Sequence, residues 1–342
     1  MNLITGGSGF IGSQIARHVV SRGEAVRILD LAAPSGDLPK GRWEFVQADV
    51  RDRARVIEAC RGVRRIFHIA ALVPISKAGR AFWDVNVGGT KNVLDGALRH
   101  GAAKILHMSS SAVLGVRRPS PVDETASADP IGVYARSKAD GEAVCLDYRA
   151  KGLDISIVRP RTVIGPGRLG IFSILFDWIR AGKSIYLIGS GTNRIQFVEV
   201  SELADACIRI TDRTSNELFH IGTDRFGTLR EDLEALIAHA GSHSRIRSIP
   251  AALAIPLLRG LDAMRLSPLA DWHYYTYHKD FFFDVAKARA LLDWHPRLGN
   301  AEALAASYDW YLSNRSRVEL QRGTTHRMWL RQRILRLLRS VS

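Results

Sequence analysis

The strongest constraint on this chain is a glycine-rich run close to its first residue, Thr5-Gly6-Gly7-Ser8-Gly9-Phe10-Ile11-Gly12. It follows a short apolar segment, residues 2–5, that is predicted to be a strand, and it leads into a predicted helix. Glycine there permits a tight turn, close approach of the backbone to a pyrophosphate, and close packing of the helix on the strand. The run fits G-x-x-G-x-x-G from Gly6 and G-x-G-x-x-G from Gly7. It therefore predicts a dinucleotide-binding unit and leaves two Rossmann-type variants open.

An acidic residue, Asp30, lies about 20 residues beyond this turn, at the end of the second predicted strand. A carboxylate in that place accepts hydrogen bonds from the adenosine ribose and repels the 2′-phosphate of NADP. Asp30 therefore predicts that the cofactor is NAD. Two alternatives stay open: Arg22 or Arg27 could accommodate a phosphate, and Asp30 could simply cap a turn.

Strand and helix patterns alternate along the first half of the chain, which is typical of βαβ units. They predict an α/β fold, a Rossmann-type doubly wound parallel sheet with helices on both faces. Predicted strands cover residues 2–5, 25–29, 43–48, 65–71, 104–109 and 154–159, and predicted helices cover 11–22, 56–59, 81–100 and 133–151.

The domain organisation is inferred from where this alternation stops, at Gly165-Pro166-Gly167. We assign residues 1–165 to an NAD-binding core, with returns to the sheet expected within 195–222, at 196–200 and 218–221. Residues 166–312 are assigned mainly to a smaller, interleaved substrate domain, and 313–342 to a basic amphipathic tail. A chain of 342 residues is long enough for two domains of ordinary size.

The net charge of +14 is densest in this tail. Within 325–342, apolar residues recur at helical spacing beside Trp329, and arginines occupy the flanks and the opposite side. We expect an amphipathic helix on an anionic membrane surface, with docking on the protein itself or on a partner as an equal alternative. Nucleic-acid binding is not expected, because DNA offers nothing to an apolar face. The apolar residues are Leu330, Ile334, Leu337, Leu338 and Val341, and the arginines are Arg331, Arg333, Arg336 and Arg339.

The remaining composition indicates a cytoplasmic protein, peripheral on the inner face of the membrane if the tail binds lipid. There is no signal-peptide pattern and no apolar run of spanning length. The three cysteines are far apart, so we expect neither a disulfide nor a metal site. His68 and His107 fall in apolar strands and are expected to be core residues with satisfied hydrogen bonds.

A second chemical signal is the pair Tyr134 and Lys138, downstream of a serine-rich strand end, Ser109-Ser110-Ser111. A spacing of four places the phenol and the ammonium on one helix face. A free phenol titrates near ~10, so a tyrosine base at neutral pH needs a nearby cation. Such a pair alone usually marks a solvated helix face. Together with the dinucleotide motif it predicts hydride chemistry at an alcohol or ketone carbon.

These motifs resemble those of the extended short-chain dehydrogenase/reductases, the NAD-dependent epimerase/dehydratase group. The resemblance continues to about residue 312, and the further matching stretches are Asp49-Val50, Phe67 to Ala71, Asn86 to Thr90, Ser109 to Gly115, Arg159-Pro160, Val163 to Gly167 and Phe281 to Pro296. It implies that Tyr134 is the acid/base and that Lys138 binds the nicotinamide ribose and lowers the tyrosine pKa. Ser110, five residues before Gly115, would hold the substrate oxygen.

For the cofactor, the motifs and the resemblance together assign a set of binding residues. Asp49 and Val50 would surround the adenine, while Asn86 is expected to order the helix and strand ends. The assigned set is Gly6, Gly9, Phe10, Ile11, Gly12, Asp30, Asp49, Val50, Ala70, Ala71 and Lys138. By the same analogy, helices 81–100 and 133–151 would pair with their copies in a homodimer.

The resemblance implies oxidation of a secondary alcohol, followed by epimerisation, dehydration or release of the ketone. Ser111-Ala112 stand where dehydratases have Asp-Glu, which disfavours dehydration. We expect nucleotide-sugar 4-epimerase chemistry, with a 3β-hydroxysteroid or 3-keto-lipid dehydrogenase as the alternative. A non-catalytic NAD-binding scaffold or sensor is a third hypothesis.

Evidence on the substrate is mixed. Nucleotide-sugar members commonly have Arg-Asp-Phe-Val where this chain has residues 195–198, and Arg194 stands one place early. We assign Ser110, Ser111 and Arg194 as candidate substrate residues. The frame 193–197 and the aromatic run 272–277 are closer to the steroid branch, although such a run more often serves packing.

Overall fold

The computed structural model describes residues 1–34, 38–76, 78–116, 119–263 and 276–320. Its centre is a seven-stranded parallel sheet, in the order β10-β6-β5-β4-β1-β2-β3. Parallel strands covered on both faces need continuous apolar sequence, and β1, β4 and β6 are buried along their whole length. The strands are β1 (Asn2–Thr5), β2 (Val26–Asp30), β3 (Trp43–Gln47), β4 (Arg65–His68), β5 (Lys104–Met108), β6 (Ile155–Pro160) and β10 (Leu218–Ile221).

Helices cover both faces of this sheet, so the predicted α/β doubly wound fold is confirmed. On one face, α1 (Phe10–Ser21) packs on α7 (Val200–Arg213) and closes one apolar core over the sheet. On the other face, α2 (Arg53–Ala59), α4 (Gly89–His100) and α5 (Gly132–Arg149) close a second core. Strand order reverses at β1, and the carboxyl ends of β1 and β4 therefore border a crevice where ligands bind in sheets of this kind.

The helix predicted at 81–100 is continuous but not uniform. It consists of α3 (Ala81–Trp83), a π-helical segment Asp84–Gly88, and α4. Asn86 lies in the π segment. Its side-chain oxygen accepts from the Leu72 amide at 2.8 Å, and its side-chain nitrogen donates to the Leu72 carbonyl at 3.2 Å. The same amide donates to Ser137 Oγ at 3.0 Å. Asn86 thus orders the chain after β4 against α5, as expected.

Four short strands lie outside the large sheet, in two pairs. β7 (Thr162–Ile164) pairs with β9 (Phe197–Glu199), and β8 (Ile185–Ile188) pairs with β11 (Ile246–Ile249). The expectation that 196–200 would return to the large sheet is therefore wrong, whereas 218–221 does return as β10. The physical reason is that β5 and β10 already flank β6, so β6 offers β9 no free edge.

Three of the remaining helices build a third apolar core with these small sheets, α6 (Ile171–Arg180), α8 (Leu229–His239) and α11 (Asn300–Leu320). Buried side-chain amides connect the segments of this lobe. Asn300 accepts from the Phe197 amide at 2.9 Å and donates to Asp232 at 2.6 Å. Gln196, fully buried, accepts from the Phe283 amide at 2.9 Å and donates to the Thr223 carbonyl at 2.7 Å. Of the other two helices, α9 (Ala251–Ala263) contacts β8, and α10 (Ala286–Leu292) packs on α7 and β10 and belongs to the first core.

Two predicted features fall on parts of the chain that the structure does not describe: the tail helix at 325–342 and most of the aromatic run, 272–275. Over the described ranges, none of the helices combines the length and the apolar character that a membrane span requires.

Candidate active site

A single cleft of about 560 Å³ opens at the carboxyl ends of the central strands. It brings together every predicted cofactor and catalytic residue, although they come from distant parts of the chain. Arg194 is not among the residues that line it. The predicted residues in the cleft are Gly6, Gly9, Phe10, Ile11, Gly12, Asp30, Asp49, Val50, Ala70, Ala71, Ser110, Ser111, Tyr134 and Lys138.

The glycine turn lies at the floor of the cleft and shows why three of its positions carry no side chain. A β-carbon on Gly12 would overlap the Gly6 carbonyl oxygen, and one on Gly6 would lie 2.8 Å from Ala70 Cα. Gly6, Gly9 and Gly12 line the cleft, whereas a β-carbon on Gly7 would meet Ile28 on the other side. The structure therefore favours the G-x-x-G-x-x-G reading. Because Gly9 caps α1 without a side chain, the first amides of the helix are left for a ligand phosphate.

Asp30 ends β2 at the rim of the cleft. Its carboxylate accepts from the Ser8 amide at 3.0 Å and from the Leu31 amide at 2.7 Å. The two arginines that could have accommodated a 2′-phosphate are engaged elsewhere, Arg22 with Asp212 at 2.8 Å and Arg27 with Glu44 at 2.5 Å. These contacts leave a carboxylate facing the adenosine end, which suits NAD.

Asp49 and Val50 follow β3 beside Asp30, since the Ala48 amide donates to the Asp30 carbonyl at 3.0 Å. Arg51 donates to both oxygens of the Asp49 carboxylate, and these hydrogen bonds lower the pKa of Asp49. Val50 is buried against Gly89 of α4. This end of the cleft therefore combines an apolar side chain with a carboxylate that is paired with Arg51.

Ser110 and Tyr134 meet at the other end of the cleft. Ser110 follows β5 and caps a short 3₁₀ turn, Ser111–Leu114, and Tyr134 lies in the first turn of α5. Both side chains line the cleft. Burial raises the pKa of the Tyr134 phenol, while the neighbouring Ser110 side chain and the charge of Arg168 act in the opposite direction. The phenol is thus placed beside a serine hydroxyl, as hydride chemistry at an alcohol carbon requires.

Lys138 lies one turn further along α5 and is almost completely buried. Its Nζ donates to the Met108 carbonyl at 2.5 Å, and burial lowers its pKa to about 8. The prediction that Lys138 lowers the tyrosine pKa stays a prediction. Arg168 is a cation whose charge lowers the pKa of Tyr134, and the Lys138 ammonium is turned towards the end of β5.

Two histidines lie under this end of the cleft. His68 is hydrogen-bonded to Thr5 at 2.7 Å and to Thr90 at 2.9 Å, as expected of a core residue. His107 differs, because neither ring nitrogen has a hydrogen-bond partner in the described part of the chain. Burial first, and then the charge of Lys138, lower the pKa of His68 to about 3 and that of His107 well below its usual value. Both rings are therefore neutral at physiological pH.

Among the side chains of the cleft that the sequence did not lead us to assign are Arg161, Arg168 and Tyr277. Both guanidiniums are removed from water, which lowers the pKa of Arg161 to about 9 and that of Arg168 to about 10. The available signals were Arg-Pro-Arg after the sixth predicted strand and Gly-Pro-Gly-Arg just beyond it. Those stretches served only as family markers.

Arg194 lies elsewhere. Its guanidinium is 4.9 Å from the centre of the Phe226 ring and 5.0 Å from that of Phe282. Its backbone amide donates to Asp280 at 2.7 Å. The structure therefore does not bring Arg194 to the other candidate substrate residues, Ser110 and Ser111.

A cleft at the strand-order reversal, with a phosphate-binding glycine turn at one end and a serine–tyrosine–lysine set at the other, defines an NAD-dependent enzyme of the Rossmann type. The model of the "NAD dependent epimerase/dehydratase family" matches residues 2–222, and the chain belongs to this family of extended short-chain dehydrogenase/reductases.

Relatives extend the similarity to nearly the whole chain. Protein y4nG of Sinorhizobium fredii is 38% identical over 337 residues, 98% of this chain and 85% of that protein. The 3beta-hydroxysteroid-dehydrogenase/decarboxylase isoform 1 of Arabidopsis thaliana is 26% identical over 90% of this chain and 78% of its own length. Among solved structures, the UDP-glucose 4-epimerase of Thermus thermophilus in complex with NAD is 25% identical, with a TM-score of 0.74. That match covers 91% of this chain and 98% of the epimerase.

The position of Asp30 predicts how the cofactor is chosen. We expect the protein to bind NAD more tightly than NADP, and Asp30→Ala to reduce that preference by a factor on the order of ten to a hundred, because hydrogen bonds to a charged group are lost. Titration of each cofactor by tryptophan fluorescence measures both affinities. Asp52→Ala, at the start of α2 and outside the cleft, is the matched control. Equal affinity of the unaltered protein for the two cofactors would contradict the assignment.

Proposed function

We propose that this enzyme transfers hydride between NAD and a secondary alcohol or ketone carbon, with Tyr134 as the acid/base. The observation that carries this proposal is the placement of Ser110 and Tyr134 in the same cleft as the glycine turn and Asp30. NAD supplies the hydride acceptor at its nicotinamide ring.

Four residues of the chain have distinct roles at the alcohol. Ser110 donates a hydrogen bond to the substrate oxygen and orients it towards Tyr134. The Tyr134 phenolate takes the hydroxyl proton as hydride leaves the same carbon. Arg168 favours the phenolate by its charge. Lys138, anchored on the Met108 carbonyl, is placed to bind the nicotinamide ribose.

The next step distinguishes an epimerase from a dehydrogenase. Similarity to the Thermus epimerase supports a nucleotide-sugar 4-epimerase, in which the keto-sugar turns and hydride returns. The Arabidopsis relative supports release of a ketone from a steroid- or lipid-like alcohol. We favour the dehydrogenase, because Arg194, the expected ligand of a sugar diphosphate, is packed against the rings of Phe226 and Phe282 outside the cleft. A non-catalytic scaffold would have no use for the Ser110–Tyr134 pair.

The first test removes the proton-transfer group. We expect Tyr134→Phe to bind NAD normally and to lower NADH formation by a factor on the order of 10² to 10⁴. UDP-glucose and a 3-hydroxy fatty acid are the probes, each assayed for NADH, and UDP-glucose also for UDP-galactose. Tyr148→Phe is the matched control, because Tyr148 lies on the same helix and bonds Asp95 away from the cleft.

The pH profile gives a second readout of the same group. Since burial raises the pKa of Tyr134, oxidation should become faster as pH rises towards that pKa. Arg168→Met removes a charge that lowers this pKa and should move the profile to higher pH. Full activity of Tyr134→Phe, or a profile that Arg168→Met leaves in place, would contradict the mechanism.

We also propose that two copies of the chain pair through α4 and α5. The two helices pack on each other on one face of the sheet and expose Leu98, Val133 and Leu146, which are 46%, 48% and 53% accessible. Exposed apolar side chains on a helix pair are stabilised when a second copy covers them.

Light scattering at micromolar concentration tests this pairing. We expect the mass of two chains for the unaltered protein and of one chain for Leu98→Glu combined with Leu146→Glu, because buried carboxylates oppose association. Leu253→Glu, an exposed leucine of α9, is the control and should leave the dimer intact. A one-chain mass for the unaltered protein would remove the proposal.

For the tail, we propose a peripheral position on an anionic membrane surface at the cytoplasmic face. The support is the sequence of residues 325–342, whose apolar and arginine positions separate on a helix. Residues 321–342 lie outside the described part of the chain. The exposed face of α9, with Leu253 and Leu257 about two-thirds accessible, offers a second apolar contact.

Cosedimentation with vesicles tests the tail. We expect the full chain to pellet with phosphatidylglycerol vesicles at low salt and to stay in the supernatant with phosphatidylcholine vesicles, because arginines bind anionic phosphates. A chain ending at Leu320, the last residue of α11, should remain in the supernatant with both. If the full chain also stays in the supernatant with the anionic vesicles, the membrane proposal is wrong.

A further inference from the structure

A buried cation lies at the substrate end of the cleft. Arg161 connects β6 to β7 and is only 5% exposed. Its Nη1 donates to Ser111 Oγ at 3.0 Å, and its guanidinium carbon is 4.1 Å from the centre of the Phe281 ring. Its Nε has no hydrogen-bond partner, and no carboxylate reaches it, among the described residues. The guanidinium is therefore surrounded by aromatic faces and the Ser111 hydroxyl, and the Tyr277 phenol interacts with it electrostatically.

This arrangement differs from the way the same fold treats other buried arginines. Arg159, two residues earlier and equally buried, donates to both carboxylate oxygens of Glu142, at 2.9 and 2.6 Å. Arg65, at the far end of the sheet, pairs with Glu24 and Asp212. A buried charge without a counter-charge is costly, so paired partners are the rule. Arg161 departs from this rule inside the cleft, where a ligand can supply the missing charge.

The guanidinium is held rigidly in this position. Phe281 and Phe283 flank it, and they are anchored by bridges to Ile195 and Val122. The Arg161 amide donates to the Ile221 carbonyl of β10 at 2.9 Å. A cation fixed before binding loses little conformational freedom when its ligand arrives, which suits recognition of a planar or tetrahedral oxyanion.

We propose that Arg161 and Ser111 bind an oxyanion of the substrate, a carboxylate or a phosphate, beside the carbon that is oxidised. The location of that carbon rests on the proposed function, because Ser111 directly follows Ser110. Ser111 accepts from Arg161, so its own hydroxyl proton is available to the anion. The substrate class is then a hydroxy acid or a phosphorylated alcohol and not a neutral alcohol.

Thermal unfolding of the NAD-loaded protein tests the site without any turnover. Unfolding is followed in chloride, acetate and inorganic phosphate at equal ionic strength. An anion bound only by the folded state should raise the midpoint by about 2 °C at tenfold excess over its dissociation constant. Arg161→Met should lose this rise, and its midpoint in chloride should be unchanged or higher, because an unpaired buried charge is removed.

Arg194→Met is the matched control. It also removes a guanidinium packed against two phenylalanine rings, but from outside the cleft. General salt effects act on all three proteins alike, so only the difference between the variants is read. Arg161→Gln, which can still donate to Ser111, replaces Arg161→Met if the latter does not fold.

A rise in the unaltered protein and in Arg194→Met, but not in the Arg161 variant, supports the site. A rise with acetate alone identifies a carboxylate, and a rise with phosphate alone identifies a phosphate. An equal rise in all three proteins, or no rise in the unaltered protein, overturns the proposal. Failure of hydride transfer would leave this result unchanged, since no step of the reaction is measured.

Discussion

The contact on which the rest of the molecule depends is the direct packing of α1 on the turn after β1. Gly12 leaves no room for a side chain against Gly6, and Gly6 in turn lies against the backbone at Ala70. These contacts aim the first amides of α1 into the crevice where the strand order reverses. They also fix Phe10 at the first position of the helix. The guanidinium carbon of Arg168 lies 5.5 Å from the centre of the Phe10 ring. One glycine turn thus connects the phosphate end of the cleft to the second lobe.

Burial then determines which groups are charged at the other end. Removal from water raises the pKa of Tyr134 and lowers that of Lys138, so both shifts oppose ionisation of the pair that the reaction needs. Arg168 offsets part of this on the tyrosine. The histidines beneath, His68 and His107, stay neutral and add no competing charge. The electrostatics of the site therefore depend on arginines from beyond β6 as well as on the helix that carries the tyrosine.

Local sequence was sufficient for the parts of the fold that depend on local geometry. The glycine turn, Asp30 and the Tyr134/Lys138 spacing each express a requirement satisfied within a few residues, and all of them reach the cleft. The pairing of β9 with β7 was not predictable in this way, because it depends on β10 having taken the free edge of β6. The role of Arg168 was hidden for the same reason. Arg168 and Tyr134 interact electrostatically but come from distant segments of the chain. The second lobe determines how closely these two segments approach.

The three consecutive phenylalanines at 281–283 separate two arginines that have similar aromatic contacts. Successive side chains of an extended segment point to opposite sides. The rings of Phe281 and Phe283 therefore pack against the Arg161 guanidinium, while the ring of Phe282 packs against that of Arg194. Both arginines have the same aromatic support. Of the two, only Arg161 faces the cleft. The pairing of β7 with β9 places Arg161, which directly precedes β7, beside Ser111. Arg161 and Arg194 therefore lie on opposite sides of the same phenylalanine segment, and of these two arginines only Arg161 lines the cleft.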